Sequence, residues 1–117
     1  INYLTYGWIE KNSHIEKSIK MLEIAAKKNP KSHYILDSLA WGYYKNNHLL
    51  KAAEIMEKVI EIAPSEAISL DHLGDIYFSL GRQREAYFMW IQALDLSEPE
   101  DNISESVQIK IDKYNAG

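Results

Sequence analysis

The chain has 117 residues, a formal net charge of −4 at pH 7, 46% hydrophobic residues and 26% charged ones. That length fits one domain of ordinary globular composition. No apolar run approaches the roughly 20 residues a membrane helix needs, the absence of cysteine removes disulfides and thiolate chemistry, and the acidic balance disfavours nucleic acid.

Taken in order, the chain opens on INYLTYGW, where Ile1, Leu4, Thr5 and Trp8 fall on one helical face. This helix begins with no capping residue, so the chain is read as a piece of a longer one with a truncated first unit over 1–30. A turn over Glu10 to His14 leads to a second helix from Ile15, which Pro30 closes. Over 31–64, Leu36, Leu39, Ala40 and Tyr43 recur at i, i+3, i+4 and i+7. Lys45-Asn46-Asn47-His48 breaks that pattern, because asparagine favours turns and helix ends. Leu49, Ala52, Ala53, Met56, Val59 and Ile60 then form the stripe of a further helix, and Pro64 ends it. The unit over 65–98 repeats this plan. Over 99–117 the pattern changes. Ser97-Glu98-Pro99-Glu100 has the form of a helix start, with proline in the first turn and acids at the positive end of the dipole. Ile103, Val107, Ile111 and Tyr114 follow at helical spacing, and the segment reads as a single capping helix.

A step of 34 residues relates these units. It carries Pro30 to Pro64, Leu39-Ala40 to Leu73-Gly74, Tyr43 to Tyr77, Ala52 to Ala86 and Met56 to Trp90. Leu70, Leu73-Gly74, Tyr77, Ala86 and Trp90, with Pro99 one residue late, resemble the pattern of the tetratricopeptide repeat (TPR), a helix pair of about 34 residues. Leu36, Leu39-Ala40, Tyr43, Ala52, Met56 and Pro64 give the same pattern, and the first unit has Leu4-Thr5, then Ser18, Leu22 and Ala25. DSLAWGYYK and DHLGDIYFSLGRQREAYFMWIQAL are also similar to C-terminal repeats of bacterial TPR proteins. The resemblance implies an all-α fold: a right-handed superhelical array of antiparallel helix pairs, about three repeats plus the capping helix. Three repeats are about the minimum for a stable array.

The resemblance also implies that the first helix of each pair lines a concave groove that holds a peptide or a partner helix. At the matching positions stand Tyr34, Asp37, Trp41 and Tyr44 in one unit and Ile68, Asp71, Asp75 and Phe78 in the next. Tyr6, with Asn2 and Ile9, stands there in the first unit. Rings beside carboxylates suit a peptide that pairs lysine or arginine with aromatic and apolar anchors. The lysine-rich clamp of chaperone-tail-binding TPR domains is missing, since its positions hold Asn2, Tyr6, Ser38, Ile68 and His72. Charge is uneven: residues 1–58 carry nine Lys/Arg against six acids, and 59–117 carry four against eleven. That asymmetry suits a basic partner, or head-to-tail self-association through the exposed N-terminal edge.

No constellation of catalytic residues is legible. His14, His33, His48 and His72 offer no i, i+4 zinc pair, and Asp71-His72 point different ways around a helix. The five glycines lack phosphate-loop spacing. The expectation is a non-catalytic protein-binding scaffold or adaptor with no cofactor, no metal, no nucleic acid and no membrane insertion. The alternatives are a self-associating segment of a longer solenoid and the recruiting domain of a larger enzyme. A cysteine-free chain suits cytoplasm and periplasm alike.

Overall fold

The computed structural model describes residues 14–117, and the expectations for INYLTYGW, for the turn after Glu10 and for Tyr6 lie outside them. Among the described residues there are six α-helices: α1 (Ile15–Lys28), α2 (His33–Lys45), α3 (Leu49–Ile62), α4 (Ala67–Ser79), α5 (Gln83–Leu96) and α6 (Ser104–Ala116). The chain divides into two compact units between Ile62 and Ala63. No helix among the described residues is long and apolar enough to cross a membrane.

In the first unit, Ser32 starts α2 by accepting a hydrogen bond from the Ile35 amide at 3.4 Å, which satisfies one of the four amides a helix start leaves open. Asn46 and Asn47 end it, with Asn47 in the left-handed region at φ 64, a conformation asparagine tolerates better than most residues. Helix α3 stops at Ile62, two residues before Pro64. Helix α2 packs on both α1 and α3. The core joins Ile19 and Leu22 of α1, Leu39, Ala40 and Tyr43 of α2, and Ala52, Met56 and Val59 of α3, all buried. A polar tie supports it. The Tyr43 hydroxyl donates to the Glu23 carboxylate on α1.

In the second unit, α5 packs against α4 on one side and α6 on the other. Leu70, Leu73, Ile76 and Tyr77 of α4 meet Ala86, Trp90 and Ala93 of α5 in the core. Gly81 turns the chain between them at φ 83, where glycine carries no Cβ penalty. The Arg82 guanidinium sits 4.1 Å from the centre of the Tyr77 ring and pairs with Glu85 at 2.6 Å.

The capping segment differs from its sequence reading in one respect. The helix starts at Ser104, not at Pro99. Glu98 and Asp101 close the capping box, with the Glu98 amide donating to Asp101 Oδ2 at 2.9 Å. What that box opens is a three-residue 3-10 turn over Pro99–Asp101. Asn102 ends the turn at φ 54, in the left-handed region, and a helix cannot run through such a residue. The stripe itself holds: Val107 and Ile111 are buried, and Ile103 and Tyr114 are half-buried.

Candidate partner-binding site

The expected recognition residues fall on α2 and α4, and the two helices treat them differently. On α2, Tyr34 is 65% exposed and its ring leans on His33 with centroids 4.0 Å apart. Asp37 and Tyr44 are half-buried. Trp41 is only 6% exposed, so its indole belongs mainly to the core. It stacks on Tyr44 at 4.6 Å, and the Lys45 ammonium lies 5.4 Å from its centre. The expectation that Trp41 offers an open ring is therefore corrected. The surface this helix presents is built from Tyr34, Asp37 and the edge of the Trp41–Tyr44 stack.

On α4, Phe78 is 48% exposed, Ile68 is half-buried and Asp71 is 8% exposed. The two acids are already engaged. Lys110 of α6 reaches back so that its Nζ lies 2.8 Å from Asp71 Oδ1 and 2.9 and 3.2 Å from the two Asp75 oxygens. The Trp90 indole N–H donates to Asp75 Oδ1 at 3.2 Å, and the Lys110 ammonium stands 5.8 Å from the Trp90 ring centre. Phe78 packs at 5.7 Å from the same ring. Asp71 and Asp75 are thus not the open carboxylates that the sequence suggests. They form a seat, and a lysine of the same chain fills it.

The electrostatics of this seat follow from its composition. Two carboxylates face one ammonium in a partly buried site, and His72 exerts a further cationic pull on Asp75. Burial raises the Asp75 pKa above its ordinary value, and the neighbouring Asp71 adds to this, outweighing the attraction of Lys110. For Lys110 burial acts first and lowers, yet the two carboxylates together raise its pKa above the usual lysine value. Beside the seat lies a cleft of about 640 Å³ bounded by Asp75, Phe78, Trp90, Lys110, Lys113 and Tyr114. The Trp90 indole can lie this close to α4 because residue 74 is glycine. A Cβ there would fall 2.4 Å from Trp90 Nε1 and 2.5 Å from Cδ1.

Lys110 and Trp90 are the site residues that sequence reasoning missed. Trp90 was legible as a packing residue of the 34-residue pattern, but its indole N–H was not legible as the partner of Asp75. Lys110 had one signal: it is the polar residue set between Val107 and Ile111 on the inner side of a capping helix. Among the described residues no group of three or more His, Asp or Glu is placed to hold a metal ion.

No protein-family model matches the sequence, and no curated protein matches it. Solved structures do. The chain is similar to the crystal structure of the Yersinia enterocolitica type III secretion translocator chaperone SycD (alternative dimer), with a TM-score of 0.88 at 14% identity, over 98% of this chain and 89% of that one. It is also similar to the Sgt2 TPR domain from Aspergillus fumigatus, with a TM-score of 0.76 at 19% identity, over 99% and 80% of the two chains. The similarity is one of fold, and it agrees with the 34-residue repetition and the all-helical order of elements. The chain has the TPR-type helical-repeat fold.

Proposed function

We propose that this chain is a non-catalytic protein-interaction module, and that α2 supplies a surface for a peptide or helix with basic and aromatic residues. The observation that carries this is the character of that helix. A tyrosine two-thirds exposed, a carboxylate one turn on and a stacked Trp–Tyr pair lie along one face. Large, stiff rings next to an acid offer wide contact area at low entropy cost and an electrostatic preference for cations. Likeness of fold to a translocator chaperone and to a TPR domain supports a protein partner. The acid pair on α4, already holding a lysine ammonium, supports a basic one.

The test compares the intact chain with a Tyr34→Ala/Asp37→Lys variant as bait in lysate from the source cell. Trp41 is left alone, because its burial means that truncation would damage the core. Circular dichroism first verifies equal helicity. A protein retained by the wild type and lost from the variant is the expected outcome. Identical captured proteins for both baits would remove α2 from the interaction.

A further inference from the structure

We propose that Asp71 and Asp75, with the Trp90 indole beside them, are a seat for the lysine of a partner helix, and that α6 fills it as an internal stand-in. This rests on the protein-interaction reading above and specifies what the second unit recognises. The stand-in displays the chemistry directly: one primary ammonium, 2.8 to 3.2 Å from three carboxylate oxygens and close to the face of an indole. The seat sets two carboxylates against a single ammonium, an arrangement of acceptor oxygens that favours cations.

The helix that carries the stand-in is lightly held. Only Val107 and Ile111 of α6 are buried. Tyr114 stacks on Tyr87 at 4.4 Å and is half-buried, whereas Glu105, Gln108, Ile109, Asp112 and Lys113 are exposed. Elements with few buried apolar residues open at the lowest cost. The adjoining cleft of about 640 Å³ can admit an apolar or aromatic side chain before α6 leaves, so displacement can begin from a bound state. The occupant fitting both features is an amphipathic helix that repeats the spacing of Val107, Lys110, Ile111 and Tyr114: aliphatic, lysine, aliphatic, aromatic at i, i+3, i+4 and i+7.

The probe is a fluorescein-labelled synthetic peptide of residues 103–117, titrated into the full chain and followed by anisotropy. In the wild type it competes with a tethered copy of itself at an effective concentration on the order of millimolar. In Lys110→Met the tethered helix keeps an apolar stem but loses its charge. The peptide is then expected to bind about tenfold tighter than to the wild type, and Lys110→Arg should stay closed and behave like the wild type. Binding should disappear when the peptide carries Lys110→Glu, and when the chain carries Asp71→Asn/Asp75→Asn with unchanged circular dichroism. Amide exchange over 104–116 should accelerate on binding.

Equal affinity for wild type and Lys110→Met, or binding indifferent to the two asparagines, overturns the proposal. Concentration-dependent dimerisation that Lys110→Glu abolishes would assign the seat to a second copy of this chain and overturn its assignment to a foreign partner. The Tyr34→Ala/Asp37→Lys variant should bind this peptide like the wild type, so failure at α2 and failure at the lysine seat are separately visible.

Discussion

Gly74 and Trp90 approach closely in the second unit, and neither can change alone. The indole is buried and its N–H is committed to Asp75, so it cannot retreat from a new Cβ at 2.4 Å. Overpacking of this kind costs about 1–3 kcal/mol, and the better helix propensity of alanine returns at most about 1 kcal/mol. Gly74→Ala is therefore expected to lower unfolding free energy by about 1–2 kcal/mol in urea titrations. In a Trp90→Ala background the same change should cost nothing, and an unchanged cost there would show that the clash is not the cause. Ser18 presents the opposite case. Its hydroxyl is fully buried on α1 and has no hydrogen-bond partner among the described residues. Ser18→Ala removes an unsatisfied polar atom, and is expected to be neutral or to stabilise by up to about 1 kcal/mol. A loss of more than that would show that the hydroxyl has a partner after all.

At the scale of elements, the helices were legible and one tertiary contact was not. The boundaries of α2 and α3 follow from an apolar period of 3.6, an asparagine turn and a proline, all local signals that tertiary packing reinforces. The start of α6 was misplaced because a capping box can open a single turn as well as a helix, and the left-handed Asn102 that separates the two cases leaves no mark in the residue pattern. The lysine seat was half legible. Repetition places Asp71 and Asp75 on one face of α4, but nothing in a repeat predicts a lysine returning across 39 and 35 residues to meet them. Exposure of Trp41 was misjudged for a related reason, since helical spacing gives a direction around the axis and not the depth of the neighbouring wall. The light attachment of α6 has a measurable consequence independent of any partner. Its amides should exchange with solvent faster than those of α4 and α5, and Val107→Ala, which creates a cavity at a fully buried position, should cost about 1–2 kcal/mol by loss of two methyl groups. Equal protection across α4, α5 and α6 would contradict the idea of a detachable helix.

For the molecule as a whole, the two units share a liability at high pH, and its sign can be worked out. Tyr43 in the first unit is buried and donates to Glu23, and burial, that hydrogen bond and the carboxylate charge all raise its pKa. Lys110 in the second unit has a raised pKa through its two carboxylates. A group whose folded-state pKa exceeds its unfolded value stabilises fully below the unfolded value, and that stabilisation is lost as pH rises through the folded one. The unfolded values lie near 10 for tyrosine and about 10.4 for lysine, so both contributions should be intact at neutral pH and fade above about pH 10. At the acid end Asp75 acts in the other direction from an ordinary paired carboxylate. Its raised pKa means that the folded protein takes up a proton before the unfolded chain does, so this group favours the fold increasingly as pH falls. Glu85, whose pKa the hydrogen bond from Arg82 lowers, behaves conventionally and loses its small contribution on acidification. Urea midpoints measured from pH 7 to 11 are therefore expected to fall in the alkaline limb for the wild type. Tyr43→Phe should flatten part of that fall while lowering stability at pH 7 by about 1 kcal/mol through the lost hydrogen bond. Lys110→Met should flatten another part, and the two effects should add because the groups belong to different units. An alkaline limb unchanged in both variants would mean that neither proton holds its unit together.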